Sequence, residues 1–180
     1  MDIIEIFKEH LYSIRYDEEK DDEFTRLFNN WNDMEYVATF FSENGKWLLN
    51  EIWSDTPDPH SASSKVIYEA NELRDMFDAL IRNVEHGTKP DLDDHFHYLE
   101  GKYKDVLEYI PMKSYGKGSP SFLRMYAIKM DSNCYLITGG GIKLADSIQN
   151  SPDLREHVLQ NIDKVRRFLR ENAILDSEDM

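Results

Sequence analysis

The chain of 180 residues is poor in three things: it has one cysteine, no long uninterrupted apolar run, and far fewer bases than acids. A lone Cys134 excludes an intramolecular disulfide framework. Set between Asn133 and Tyr135, with no histidine beside it, it is expected to pack as a small hydrophobe rather than act as a nucleophile. No window approaches the apolar length that crosses a bilayer, and the start MDIIEIFKEH carries acids where a secretory signal carries bases. The expectation is a cytoplasmic protein without membrane contact. With 21 Lys plus Arg against 35 Asp plus Glu, the formal charge is -14 at pH 7, which excludes nucleic-acid binding driven by bulk charge. Neither a GxxxxGK[ST] loop nor a GxGxxG turn is present, and there is no internal repeat or low-complexity linker.

What is present suffices for a folded core. The composition is 41% hydrophobic and 12% aromatic, and the length fits a single domain over residues 1–180. The charge is unevenly spread. Residues 1–99 hold 9 Lys plus Arg against 23 Asp plus Glu, whereas residues 100–170 hold 12 against 8; residues 171–180, ENAILDSEDM, form an acidic tail. An acidic body bearing a locally basic surface follows.

Along the chain, LYSIRYD at 11–17 alternates in the manner of a strand with one buried face. The preceding Ile3, Ile4, Ile6 and Phe7 fit a short helix or an extension of that strand. Asp21, Asp22 and Glu23 favour a helix start, and Phe24, Leu27, Phe28 and Trp31 give its apolar stripe. Asn32 or Asp33 caps a second helix with Tyr36, Val37, Phe40 and Phe41, which Asn44 and a left-handed Gly45 are expected to end. DTPDPHSASS at 55–64 reads as a capping loop. A helix over 65–85 is predicted to bury Ile67, Ala70, Leu73, Phe77, Leu80, Ile81 and Val84, and to turn Glu69, Glu72, Asp75 and Asp78 outward.

The segment from Asp91 to Lys104 has no clear periodicity, and Tyr109, Ile110 and Met112 suggest a strand. Phe122–Met130 and Cys134–Thr138 read as an antiparallel hairpin turned by Asp131, Ser132 and Asn133. Gly139, Gly140 and Gly141 would let the backbone leave the sheet or approach a ligand closely. Ser151, Pro152 and Asp153 then open a helix with Leu154, Val158, Ile162, Val165, Phe168 and Leu169 inward and Arg155, Lys164, Arg166, Arg167 and Arg170 outward. The fold expected is α+β: a small antiparallel sheet from the N-terminal strand and the C-terminal meander, enlarged by helices.

LRMYAIK, a turn, NCYLITGGGIK and a charged amphipathic helix together resemble the C-terminal half of RelE/ParE-superfamily toxins, in the HigB or phage Gp49-like branch. The likeness covers roughly residues 109–170, with residues 45–107 as a helical elaboration. It implies a messenger-RNA endoribonuclease of a toxin-antitoxin system, with mRNA or the ribosome and an antitoxin as partners and no DNA. Such cleavage needs a base for the ribose 2′-hydroxyl, cations on the phosphate and an acid for the leaving oxygen, and no metal or other cofactor. Arg124, Tyr126 and Lys143 are the catalytic candidates, with Lys113, Lys117, Arg166 and Arg167 as RNA-binding residues; Lys129 falls on the opposite strand face from Arg124. Asp91, Asp93, Asp94, His95 and His97 gather possible metal ligands, but the spacing matches no metal motif and suits an acidic helix cap. The alternative class is a noncatalytic interaction module whose acidic helices bind a basic protein.

Overall fold

The computed structural model describes residues 1–99, 108–116 and 120–180. Strands β1 (Asp2–Phe7) and β2 (Leu11–Arg15) form an antiparallel hairpin. The ambiguous isoleucines before Leu11 are therefore strand, held because Ile3 pairs with Ile14 across the ladder. Helices α1 (Glu23–Asn32) and α2 (Met34–Asn44) follow, then a short 3-10 turn, Gly45–Leu49, and the long helix α3 (Pro59–Glu85). The single turn α4 (Leu92–His95) leads into β3 (His97–Tyr98), β4 (Ile110–Tyr115), β5 (Leu123–Asp131) and β6 (Cys134–Ile142), and α5 (Val158–Glu171) closes the fold.

The six strands of the described residues join one sheet in the order β1-β2-β6-β5-β4-β3. Every neighbouring pair is antiparallel except β2 and β6, which run parallel. The α+β class is as expected, with two N-terminal strands rather than one. Alternate residues face opposite sides. Leu11, Met125, Ala127, Tyr135 and Ile137 meet Phe24, Leu27, Trp31, Phe41 and Phe77 of α1, α2 and α3. Tyr12, Ile14, Ile128 and Leu136 meet Val165 and Leu169 of α5. Each fully buried Leu or Phe here contributes about 1.5–3 kcal/mol by leaving water. Among the described residues, no helix is long and apolar enough to cross a membrane.

Local chemistry explains where elements depart from expectation. Gly45 has φ -55 and lies in the right-handed region, because the chain continues into the 3-10 turn instead of reversing. Helix α3 starts at Pro59, six residues early: Asp58 accepts from the His60 and Ser61 amides, Pro59 supplies the pre-set φ of a first turn, and the Ser63 and Ser64 hydroxyls bond carbonyls one turn back. Glu69, expected outside, is 3% exposed. Its Oε2 accepts from Ser121 Oγ at 2.8 Å and from the Phe122 amide at 3.0 Å, tying α3 to the start of β5. Burial raises its carboxyl above the usual range.

Strand β6 does not leave the sheet at its glycines but runs through them to Ile142. A β-bulge at Thr138 shifts the register, so that Tyr126 opposes Gly139 and Ala127 opposes Ile137. A Cβ on Gly140 would lie 2.4 Å from the Arg124 carbonyl oxygen and 2.8 Å from Leu27 Cδ1, and one on Gly141 would lie 2.3 Å from Asp153 Oδ2. The glycines thus admit neighbouring protein atoms onto the backbone. Residues 151–157 form turns, and α5 starts only at Val158, because the Asp153 carboxylate is engaged in accepting from the Ile142 amide at 2.7 Å rather than capping a helix.

The expected acidic cap at Asp91 is present: its carboxylate and that of Asp94 form a reciprocal capping box on α4. Asp93 accepts from Lys129 Nζ, the Asn133 amide, Ser132 Oγ and the Tyr135 hydroxyl, which pins α4 to the far turn of the β5–β6 hairpin. Asn133 supplies that turn with φ +53. No cluster of three or more His, Cys, Asp or Glu suited to a metal occurs among the described residues. Cys134 is buried and its thiol is pushed up to about 12 by desolvation, so it carries no thiolate at neutral pH.

Candidate functional site

At the end of the sheet where β5 begins, basic side chains from three consecutive segments share the face that α5 only partly covers. Arg124 of β5 sits opposite Tyr115 of β4, and Tyr126 sits opposite Lys113. Cross-strand partners project to the same side, which puts Lys113, Tyr115 and Arg124 together. Lys143 follows β6 directly, and its amide donates to the Phe122 carbonyl. Desolvation, then the nearby Arg124 charge, lowers the Lys143 ammonium below its ordinary value, with Lys113 adding repulsion and Asp146 offsetting part of it. The Arg124 and Lys113 charges both bear on Lys143, which puts that ammonium in the electrostatic neighbourhood of the other two cations. No ion pair joins Lys113, Arg124 or Lys143 to a carboxylate among the described residues.

The guanidinium of Arg124 is held from below. Its Nη1 donates to the Ser121 carbonyl at 2.9 Å and the Leu123 carbonyl at 2.6 Å, and its carbon lies 5.2 Å from the Tyr115 ring centre. Nε and Nη2 carry the remaining N–H donors, a fork suited to phosphate oxygens. Ser121 is itself fixed by Glu69, so the buried acid positions the arginine through one intervening residue. Tyr115 is 37% exposed and stacks on His97 at 5.2 Å between ring centres; Tyr98 on the same edge strand is 67% exposed. Next to them, His95 Nε2 lies 2.5 Å from Ser114 Oγ, and burial followed by the His97 charge depresses the imidazole to about 4.

Arg124, Lys143 and Lys113 therefore converge. Tyr126 does not reach the surface with them: it is 2% exposed, packed against Leu154, Val158 and Ile162, and desolvation raises its phenol. Its position two residues from Arg124 puts it on the expected face, but that face is sealed there by α5. Arg166 and Arg167 lie on α5 near the opposite end of the sheet, where Arg166 Nη2 donates to the Glu108 carbonyl at 3.4 Å. Lys129, whose partner Ile110 adjoins that end, lies five positions along β5 from Arg124, a span of about 16 Å. Lys117 lies outside the described residues. Sequence reasoning missed Tyr115 and His97, although alternation from Lys113 would have put Tyr115 on the same face. Comparison of the chain with known protein families, with curated proteins and with solved structures finds no match to any of them.

Proposed function

We propose that this chain binds single-stranded RNA across the face formed by Lys113, Tyr115, Arg124 and Lys143. The observation that carries the reading is the convergence of three cations, without carboxylate partners among the described residues, in a molecule of formal charge -14. Cations left unpaired on an acidic protein create a local attraction for phosphate that the rest of the surface repels. The exposed Tyr115 and His97 rings beside them offer a stacking platform for an unpaired base.

The finer proposal is metal-independent cleavage, as the resemblance to RelE/ParE toxins implies. Attack by the ribose 2′-hydroxyl moves one proton from that oxygen to a base, breaks the phosphorus bond to the 5′-oxygen and delivers a proton to it. Arg124 would neutralise the phosphorane, and Lys143, its proton affinity reduced by burial and by Arg124, would serve proton transfer nearer neutral pH than a free lysine. Tyr126 takes no part in this scheme because it is buried.

The test is to induce the wild-type chain and the double variant Arg124→Ala, Lys143→Ala in bacteria, following growth and transcript integrity, and to titrate both with a fluorescent single-stranded RNA at several salt concentrations. Expected are salt-sensitive binding by the wild type, weakened at least tenfold in the variant, and growth arrest with broken transcripts for the wild type alone. Binding without arrest supports the RNA reading and removes the nuclease. Absence of binding in a folded wild type removes both and leaves a noncatalytic module for a basic partner.

A further inference from the structure

A second polar surface lies on the other side of β6. Strands β2 and β6 run parallel and side by side, and their chains leave in opposite directions. After β2 the chain enters α1, which packs on one face of the sheet; after β6 it passes through turns into α5 on the other. Parallel neighbours whose connections part in this way leave a crevice beyond their carboxyl ends. Here β2 pairing stops at Ile137 while β6 continues to Ile142, and the space where β2 would have continued is a crevice of about 350 Å³.

Its floor is an unpaired strand edge. The Lys143 amide points toward β5, donating to Phe122, whereas the Ile142 amide points away, donating to Asp153. Groups two residues apart along a regular strand point the same way, so Gly140 turns its N–H and C=O into the crevice. Tyr16, whose hydroxyl donates to the Thr138 carbonyl at 2.7 Å, closes one end, and Asp153 closes the other.

Around that edge stand charges of both signs. Arg26 donates twice to Glu23, at 2.8 and 2.7 Å, and this pair forms a neutral wall. Glu19, Asp153, His157, Asn161 and Lys164 complete the lining. Lys164 places its ammonium 4.9 Å over the Tyr16 ring and forms no ion pair with a described carboxylate. One oxygen of Asp153 is committed to Ile142 and the other is available. Burial raises this carboxyl, and an incoming ammonium would relieve that cost by pairing with it. An anion alone would meet Glu19 and Asp153, and a cation alone would meet Lys164. A neutral polyol would leave Asp153 and Lys164 without counter-charge. A ligand carrying both signs a few bonds apart answers all of them.

We infer that the crevice beyond the ends of β2 and β6 binds a free α-amino acid, with its ammonium on Asp153 and the Gly140 carbonyl and its carboxylate on Lys164 and the Gly140 amide. The site is independent of the RNA-binding face, from which the segment 151–158 divides it.

The probe is the standard set of free L-amino acids, each titrated into the intact protein with binding read by calorimetry and by amide chemical shifts. The same measurement is made with their N-acetyl amides, with Lys164→Ala, and with Arg124→Ala, Lys143→Ala. Lys164 is exposed, so its truncation leaves the fold intact. Expected is saturable binding of at least one amino acid at about 1 mM or tighter, perturbing Gly140, weakened about tenfold in Lys164→Ala, absent for the N-acetyl amide, and unchanged in the double variant. No binding at about 10 mM, equal binding of the N-acetyl amide, or indifference to Lys164→Ala each overturns the inference; the second of these would indicate strand addition by a peptide instead.

Discussion

The two polar surfaces at the glycine end of β6 are built from opposite arrangements of charge. On the β5 side, Arg124 and Lys113 both act against the charge on Lys143, and Arg124 is held in place by backbone carbonyls and a tyrosine ring. On the β2 side, Arg26 is neutralised by Glu23, whereas Asp153 and Lys164, of opposite sign, form no ion pair with a described residue. The first favours an extended polyanion whose attraction is long-ranged and falls with salt. The second favours a small ligand whose charges are met at short range in a confined space. The difference lies in whether the charges left without an ion-pair partner are of one sign or of both.

Gly140→Val should disturb both surfaces at once. The added Cβ meets Leu27 Cδ1 and, on the β5 backbone, the Arg124 carbonyl and Met125 Cα, which cannot yield without moving β5. A loss of about 3 kcal/mol or more in urea unfolding is expected, with RNA and amino-acid binding lost together. A stability near wild type would show that the sheet is looser here than its geometry implies.

Acid separates the two sides next. His95 next to Ser114 titrates near 4 when folded, against 6.5 when unfolded. The unfolded chain therefore binds the extra proton first, and stability falls as pH drops from about 6.5 to 4, by up to about 3 kcal/mol. Glu69 and Asp153, whose carboxyls are raised, act with the opposite sign and gain stability as pH falls through their folded values. His95→Gln should flatten the loss seen in pH-dependent unfolding. An unchanged slope would place its origin elsewhere.

Glu69→Ala sharpens the contrast further, because it strands the Ser121 hydroxyl and the Phe122 amide under Arg124 while touching nothing in the crevice. About 2 kcal/mol of stability should go, RNA binding should weaken, and amino-acid binding in the folded protein should persist. Glu69→Gln, which keeps an acceptor, should cost less in both readouts. Smallest are the surface truncations: Lys143→Ala should lower the salt slope of RNA binding by about one unit with unfolding unchanged, and a shift in the melting curve would mean that Lys143 supports the fold instead.

Much of this architecture was legible in the chain, and the failures share a cause. The stripes of α1, α2 and α5 and the β5–β6 hairpin followed from periodicity, since their buried positions are apolar. Glu69 was misplaced because periodicity sorts residues by polarity, and a buried acid whose Oε2 accepts from two donors of a distant segment looks like a solvated one. Gly139–Gly141 were misjudged for the converse reason: glycine announces close approach without saying by what, and here the visitors are Leu27 and Asp153. In the site, strand alternation separated Arg124 from Lys129 but did not give the depth of Tyr126, which depends on where α5 docks. The crevice was invisible, for it arises from β2 ending before β6, a fact of pairing between segments over a hundred residues apart.

That last stretch of β6 also bears on the order in which the molecule assembles. Three successive glycines have little preference of their own for an extended chain, each giving up roughly 0.5–1 kcal/mol relative to alanine. Gly139–Ile142 should therefore set late, only when Leu27 arrives from one side and Asp153 from the other. In the finished protein the same four residues should open together with the turns before α5, so that both binding surfaces breathe as a single cooperative unit, seen as matched amide exchange rates well above those of Tyr135–Ile137.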